Sequence, residues 1–219
     1  ILAGLEQNKL KPVKDAAART LVRRLHLTLI GLPPTPDAVE LWSARLAAAT
    51  TPTAKQEVAG KLADELLTSP RFGEHWGRHW MDVARFGEST GGDANNSTPH
   101  AWRYRDYVID SFNADTPYPR FVQEQVAADV LFPDKPQLIP ALGFLAAGPW
   151  DESSLRDIRE DTIDREVGRY LDRDDIVTTV MNTFQGLTAQ CARCHDHKFD
   201  PISQEEYYRL QAVFAGVGR

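Results

Sequence analysis

Cysteine is scarce in this sequence: the 219 residues include two, Cys191 and Cys194, with only two residues between them. Two cysteines far apart in a chain are compatible with buried thiols or with one structural disulfide. A pair this close is rarely a structural disulfide. The spacing therefore indicates metal, redox or cofactor chemistry.

An excess of positive charge and a long apolar run are also missing. There are 25 Lys and Arg against 31 Asp and Glu, for a net charge of −6, and the cationic residues form no stripe. Nucleic acid is therefore not an expected partner.

The longest apolar stretches, such as residues 138–150, are too short and too broken by Gly and Pro to span a bilayer. A chain that starts at Ile1 without Met is expected to be a fragment of a longer protein.

Strand-like alternation of apolar and polar residues is absent, whereas helical periodicity is widespread. Thr35-Pro36, Thr51-Pro52 and Ser69-Pro70 each combine a capping residue with a proline at the first helical position. Mixed charges predict a solvated segment over residues 151–175. We expect one all-α, multi-helix domain with long loops, its helices near residues 15–29, 36–48, 52–67, 70–86, 100–112, 116–131, 140–147, 174–187 and 203–216.

The segment Cys191-Ala192-Arg193-Cys194-His195 has the pattern C-x-x-C-H, which is typical of haem c attachment. Thiols at positions i and i+3 lie on one side of a helical turn, and each can add across one vinyl group of a single porphyrin. The next residue then places an imidazole under the iron as its proximal ligand. The motif predicts one covalent haem c, held by Cys191 and Cys194, with His195 on the iron.

Three other interpretations of the motif compete. A thioredoxin-like redox pair requires a β-α-β context, which the sequence lacks. A zinc site requires two further ligands, and although His197 is close, there is no second cysteine pair. Chance occurrence of three fixed positions is the third. The all-α context favours haem c.

The surrounding residues strengthen the haem prediction. The run 186–202, followed by Tyr207-Tyr208 and residues 214–216, resembles the haem-binding end of the planctomycete-type cytochrome c-like domain family. Segments 23–36, 78–85, 102–109 and 112–115 are similar to that family as well, so the resemblance covers nearly the whole chain. It implies a cytochrome c-like domain over residues 1–219, with its haem-attachment segment at 186–216, from large exported proteins that carry further domains downstream.

The sixth position of the iron decides what such a haem does, because a strong protein ligand gives an electron carrier and an open position permits small-molecule chemistry. We expect His79 to be the second metal ligand. It lies beside Trp80 in a segment that matches the family. His75, one turn earlier, and Met181 are alternatives, as is no protein ligand, and each histidine also suits an ordinary hydrogen-bonded role.

Residues after the motif are expected to support the haem. The proximal histidine donates its second ring N–H to a carbonyl in such sites, and Pro201 is the expected source of that carbonyl. His197 is expected to bond a propionate, a backbone group or a partner. The remaining expectations are an apolar wall of Phe199, Ile202, Tyr207 and Leu187, and propionate neutralisation by Arg193 and Lys198. For Arg193 an exposed, solvated side chain is the favoured alternative.

One further segment, residues 102–107, is unusually aromatic and cationic for the start of a helix. Flat aromatic faces and guanidinium groups suit a substrate or sugar platform. Aromatic core packing, held by Arg–Asp pairs, is the alternative and the favoured interpretation.

The expected function is electron transfer by one haem c, to or from a partner protein or a downstream domain of the same chain. A haem enzyme, peroxidase- or oxygenase-like and acting on a polysaccharide-related substrate together with a missing downstream domain, is the second hypothesis. A binding module with a structural haem is the third. Export to the periplasm or beyond follows from the cofactor, since haem c is attached outside the cytoplasmic membrane.

Overall fold

A computed structural model describes residues 1–91, 95–148 and 156–217. Over these ranges the chain forms ten α-helices and two 3-10 helices and no strand, apart from one isolated bridge between Ser89 and Ser97. The predicted all-α fold class is confirmed. The α-helices are α1 (Leu2–Gln7), α2 (Ala18–Ile30), α3 (Pro36–Ala48), α4 (Pro52–Leu67), α5 (Pro70–Val83), α6 (Trp102–Asn113), α7 (Tyr118–Leu131), α8 (Gly143–Ala146), α9 (Ile163–Gln185) and α10 (Gln204–Val213); the 3-10 helices are Pro136–Leu142 and Ala189–Arg193.

The chain divides into two compact units, Ile1–Trp76 and Gly77–Arg219. The first unit packs α2, α3 and α4 around a small apolar core. Each helix contributes apolar side chains one turn apart, because the 3.6-residue period returns them to the same face. The buried members are Val22, Trp42, Leu46, Leu62 and Leu66.

The predicted helix starts at Thr35 and Thr51 are confirmed. The hydroxyl oxygen of Thr35 accepts a hydrogen bond from Ala38 N at 3.3 Å, and that of Thr51 accepts one from Ala54 N at 3.1 Å. A proline follows each cap, where the missing N–H costs nothing. Gly31 ends α2 in the left-handed conformation, and a Cβ there would lie 2.4 Å from His75 Nδ1, so the close approach of His75 requires glycine.

The second unit is built on a larger core, to which α6, α8, α9 and α10 all contribute buried side chains. Its centre includes Val108, Phe144, Val177 and Tyr207, each no more than 2% exposed. Gly186, left-handed with φ 65°, ends α9 directly before the attachment segment. The capping box predicted from Ser203 to Glu206 is present at the start of α10.

The helix predicted to begin at residue 174 begins earlier, because α9 starts at Ile163, inside the segment that was predicted to be solvated. Thr162 caps the helix, and Asp164 and Glu166 occupy its first turn, where acidic side chains are favoured by the helix dipole. The mixed charges belong to the exposed face of a helix rather than to a loop. Residues 151–155 of the predicted segment lie outside the described ranges.

Helix α5 ends at Val83, earlier than the predicted residue 86, because Arg85 adopts a left-handed φ of 54°. This turn directs the Arg85 guanidinium to α9. Its two terminal nitrogens donate to the two carboxylate oxygens of Asp175, each at 2.6 Å. The side chains of Arg85 and Asp175 thus join the end of α5 to the middle of α9.

Candidate functional site: the C-x-x-C-H segment

The attachment segment is a short 3-10 helix, Ala189–Arg193, with Cys194 as its last flanking residue. Residues three apart lie above one another in such a helix. Ala189 and Ala192 share the inward side and are fully buried in the core of the second unit. Cys191 and Cys194 are both free and exposed. That the two thiols add to one porphyrin stays a prediction.

His195 follows on the surface with a defined tautomer. Its Nδ1 lies 2.8 Å from the carbonyl oxygen of Asp196, and since a carbonyl only accepts, Nδ1 carries the proton. The other nitrogen, Nε2, then keeps its lone pair. A neutral imidazole oriented in this way is the form that binds a metal ion. The carbonyl comes from Asp196, whereas Pro201, the expected source, is exposed in the loop that follows.

The N-terminal turn of α10 holds the motif from both sides. Asp196 Oδ1 accepts a hydrogen bond from Gln204 N at 2.9 Å. The carbonyl oxygen of Arg193 accepts from Gln204 Nε2 at 3.1 Å and from the Tyr208 hydroxyl at 3.2 Å. The residues on either side of Cys194-His195, Arg193 through its carbonyl and Asp196 through its carboxylate, are thereby bound to one helix.

A polar network anchors Arg193, which directly precedes Cys194. Arg193 Nη1 donates to Asp174 Oδ2 at 2.9 Å, and the Tyr207 hydroxyl donates to the other oxygen of Asp174. Gln211 Nε2 in turn donates to the Tyr207 hydroxyl at 2.7 Å. A hydrogen bond with Cys194 and the charge of Asp174 raise the pKa of Arg193. Its guanidinium therefore has a carboxylate partner, Asp174.

His197 organises the loop after the motif through both of its ring nitrogens. Nδ1 accepts from Asp200 N at 2.6 Å and from Phe199 N at 3.2 Å, so Nε2 carries the proton and donates to Thr188 Oγ1 at 3.2 Å. The side chain of His197 is only 7% exposed. Of the three roles expected for His197, the structure shows the bond to backbone groups.

Thr188, His197 and Asp200 resemble a nucleophile–base–acid triad by proximity, but the protons are wrongly placed for one. Nε2 of His197 is a donor here and cannot take the proton of the Thr188 hydroxyl. That hydroxyl donates instead to Asp200 Oδ2 at 2.8 Å, and Thr188 N donates to the same oxygen at 3.0 Å. These two bonds lower the pKa of Asp200. The three side chains instead hold the loop after the motif to Thr188 by hydrogen bonds. Sequence reasoning missed this network because no spacing pattern marks it.

The residues expected to form an apolar wall lie at two depths. Ile202 and Tyr207 are buried beneath the motif, and Leu187 packs against the same core. Phe199 is 83% exposed, and Lys198 Nζ lies 5.1 Å from the centre of its ring. Of these four residues, Phe199 therefore has an apolar ring that is open to solvent.

The expected second iron ligands are distributed over both units. His79 is exposed on α5 in the second unit, while His75 packs against Gly31 in the first. Met181 packs against the core of the second unit. Within the described ranges no three His, Cys, Asp or Glu side chains cluster as a metal site. The assignment of His79 as a ligand stays a prediction.

Residues 102–107 divide between core and surface. Tyr104 is buried, and its hydroxyl and Trp80 Nε1 both donate to Gln125 Oε1, at 2.8 and 2.7 Å. Burial raises the pKa of Tyr104. Arg105 pairs with Asp106 as the core-packing interpretation expects. Trp102 and Arg103, in contrast, are exposed.

No helix in the described part of the chain is long and apolar enough to cross a membrane. No curated protein and no solved structure matches the chain. A family model described as PSCyt2, a protein of unknown function (DUF1549), matches residues 1–219. The match covers the full sequence and agrees with the planctomycete-type resemblance of segments in both units. The chain thus belongs to the PSCyt2 family, a planctomycete-associated domain family of unknown function.

Proposed function

We propose that this chain is a c-type cytochrome domain that carries one haem and transfers electrons. Cys191 and Cys194 would hold the haem through two thioethers, and His195 Nε2 would bind the iron. The observation that carries the proposal is this set of donors: two free, exposed thiols three residues apart in and next to a short 3-10 helix, followed by an imidazole whose Nδ1 donates to a carbonyl and whose Nε2 keeps its lone pair.

The donor set fits haem c better than its competitors. A zinc site would require further Cys or His ligands near the pair, and the described ranges contain no such cluster. A thioredoxin-like pair would sit at the start of an α-helix after a strand. Here the cysteines lie in a 3-10 helix that follows α9. Their exposure also leaves room for a large planar group against Phe199.

The protein's contribution would be to orient the donors and to tune the iron. A bound haem supplies one-electron redox chemistry, and its potential depends on axial ligands, hydrogen bonds and burial. The Asp196 carbonyl orients the His195 ring, and Arg193 with Asp174 fixes the segment between the thiols. A cofactor held on exposed residues would keep one edge near solvent, which favours electron transfer to a partner protein or to another domain of the same polypeptide.

Haem attachment is tested by co-expressing the chain, behind an export signal, with a haem c maturation system. We expect haem that stays with the polypeptide after denaturation, detected by peroxidase staining of a gel and by the pyridine haemochrome spectrum. The double variant Cys191→Ala/Cys194→Ala should lose it entirely. His100→Ala, which changes an exposed histidine elsewhere in the second unit, is the matched control for His195→Ala. A folded wild-type chain without covalent haem would refute the proposal.

The role of the haem is tested by its response to carbon monoxide. A low-spin reduced spectrum that carbon monoxide leaves unchanged supports a six-coordinate electron carrier. A shifted Soret band would instead favour the second hypothesis, a haem enzyme with an open coordination position. Conversion to high spin in His79→Ala would support His79 as the second ligand, and an unchanged spectrum would exclude it.

A further inference from the structure

A cavity of about 830 Å³ lies in the second unit, between the start of α6 and the segment that contains the 3-10 helix Pro136–Leu142 and α8. Cavities of ~300–1,000 Å³ are the usual size for small organic ligands. None of the residues of the C-x-x-C-H segment lines it. The cavity is thus separate from the site above, and an inference from it does not depend on haem.

The lining is mainly apolar. Two aromatic rings, those of Phe86 and Tyr104, contribute to it with their centres 6.1 Å apart. The Tyr104 hydroxyl is already bound to Gln125, so Tyr104 presents carbon rather than oxygen to a ligand. Ile139, Pro140 and Ala147 add aliphatic surface. Such a lining suits an apolar body.

Two basic side chains, Arg103 and His100, stand among the lining residues, and no described lining residue is acidic. The nearby carboxylates of Glu88 and Asp106 are both paired with Arg105, at 3.3 and 3.0 Å. Within the described ranges Arg103 has no ion-pair partner, and its guanidinium lies 5.5 Å from the centre of the Trp102 ring. The cavity therefore combines an apolar lining with the positive charge of Arg103.

A second cavity nearby provides an internal comparison. It measures about 490 Å³ and also includes Arg103, but it carries Asp106, Asp110 and Glu124 in its lining. Three carboxyl groups disfavour an anionic ligand there. The contrast in charge, more than the contrast in size, distinguishes the larger cavity as the place for an anion.

We propose that the larger cavity binds a small amphipathic anion, with an aromatic or aliphatic body and one carboxylate or sulfonate group. The body would lie against Phe86, Tyr104 and Ile139, and the anionic group would bind Arg103, with His100 adding charge when protonated. Arg103 suits this role because its planar guanidinium presents paired donors to a carboxylate. The aromatic and cationic segment 102–107 would then contribute Tyr104 to the core and to the cavity lining, and Arg103 to ligand binding.

Binding is tested with two fluorescent probes of similar body and different charge. 8-Anilinonaphthalene-1-sulfonate is an anion, and N-phenyl-1-naphthylamine lacks the sulfonate. We expect the folded chain to bind each at one site. Arg103→Gln should weaken the anionic probe about fivefold, as expected for one partly exposed ion pair, and leave the neutral probe unchanged. Decanoate should displace the anionic probe, whereas maltose should not.

Ile139→Glu and Gln137→Glu locate the site. Arg24→Gln is the control for Arg103→Gln, and Ile163→Glu is the control for Ile139→Glu. Ile139→Glu places a negative charge on a side chain that is 49% exposed, and should weaken both probes, the anion more strongly. Gln137→Glu, at an exposed polar position of the lining, tests the charge effect again if Ile139→Glu reduces helicity by circular dichroism. Arg24→Gln on α2 and Ile163→Glu on α9 should change nothing. Equal binding of the anionic probe by wild type and Arg103→Gln, binding at many sites, or displacement by maltose would each overturn the proposal.

Discussion

At the scale of single residues, Asp174 joins Arg193 of the attachment segment to Tyr207 of α10. One of its oxygens accepts from Arg193 and the other from the Tyr207 hydroxyl, while its own side chain is only 8% exposed. A buried carboxylate is tolerated when it is hydrogen-bonded, and its removal leaves the buried Tyr207 hydroxyl without this acceptor. Nothing in the sequence around residue 174 distinguishes this aspartate from Asp172 or Asp175.

Replacing Asp174 by Asn should lower the free energy of unfolding by about 1–3 kcal/mol, since it removes the charge that two donors share. Urea unfolding followed by circular dichroism measures this. The control is Asp129→Asn, an exposed aspartate on α7, for which we expect a change within about 0.5 kcal/mol. Equal effects of the two variants would show that the network around Asp174 contributes nothing.

His197 offers a test of a positioning role. His197→Ala removes the acceptor for Asp200 N and the donor to Thr188, and should cost about 1–3 kcal/mol of unfolding free energy. His197→Asn retains an oxygen near the position of Nδ1, so it should recover part of the loss. Thermal unfolding compares the two, with His100→Ala as the exposed-histidine control. Indistinguishable Ala and Asn variants would mean that the bond from Asp200 N is unimportant.

Helix starts were more predictable than helix ends at the scale of elements. Thr35 and Thr51 carry their capping signal in one dipeptide each, so the beginnings of α3 and α4 follow from the sequence alone. The end of α5 depends on Arg85, whose left-handed backbone accompanies its ion pair with Asp175, a residue far along the chain. A local pattern carries no information on such a partner.

Two glycines in helices should respond to alanine in opposite directions. A Cβ on Gly143 in α8 would lie 2.5 Å from Tyr104 Cβ and 2.6 Å from its Cγ, so Gly143→Ala should destabilise the protein by about 1–3 kcal/mol. Gly60 in α4 has no neighbour within 4 Å of such a Cβ. Gly60→Ala should therefore stabilise by about 0.5–1 kcal/mol, because alanine is the better helix former. Thermal unfolding measures both effects. A Gly143→Ala variant that is more stable than the wild type would contradict the close packing of Gly143 against Tyr104.

Acid stability is a property of the whole molecule to which two carboxyl groups at the attachment end contribute. Hydrogen bonds from Thr188 lower the pKa of Asp200, and those from the Ser203 N–H and hydroxyl lower that of Glu206. Their ordinary values are 3.8 and 4.5. A lowered native pKa means that the unfolded chain binds protons first as pH falls. The stabilisation is complete above the ordinary values and is lost as pH falls through the native ones.

We therefore expect the urea midpoint to fall as pH is lowered from about 5 towards 3, the range just above and below ordinary carboxyl pKa values. The double variant Asp200→Asn/Glu206→Gln should start less stable at neutral pH and show a shallower fall. Asp129→Asn should keep the wild-type slope. Parallel curves for wild type and the double variant would show that these carboxyl groups do not contribute to acid unfolding.

The sequence by itself determined the all-α fold class, the helix caps, and the five-residue motif with its family membership, because each depends on neighbours in the chain. Tertiary structure decided which groups surround that motif. Asp174 and Gln204 reach it from other helices, and His197 acquires its tautomer from backbone groups of a folded loop. The cavity beside Arg103 likewise exists only once α6 and α8 are packed, since no local pattern encodes a space between helices.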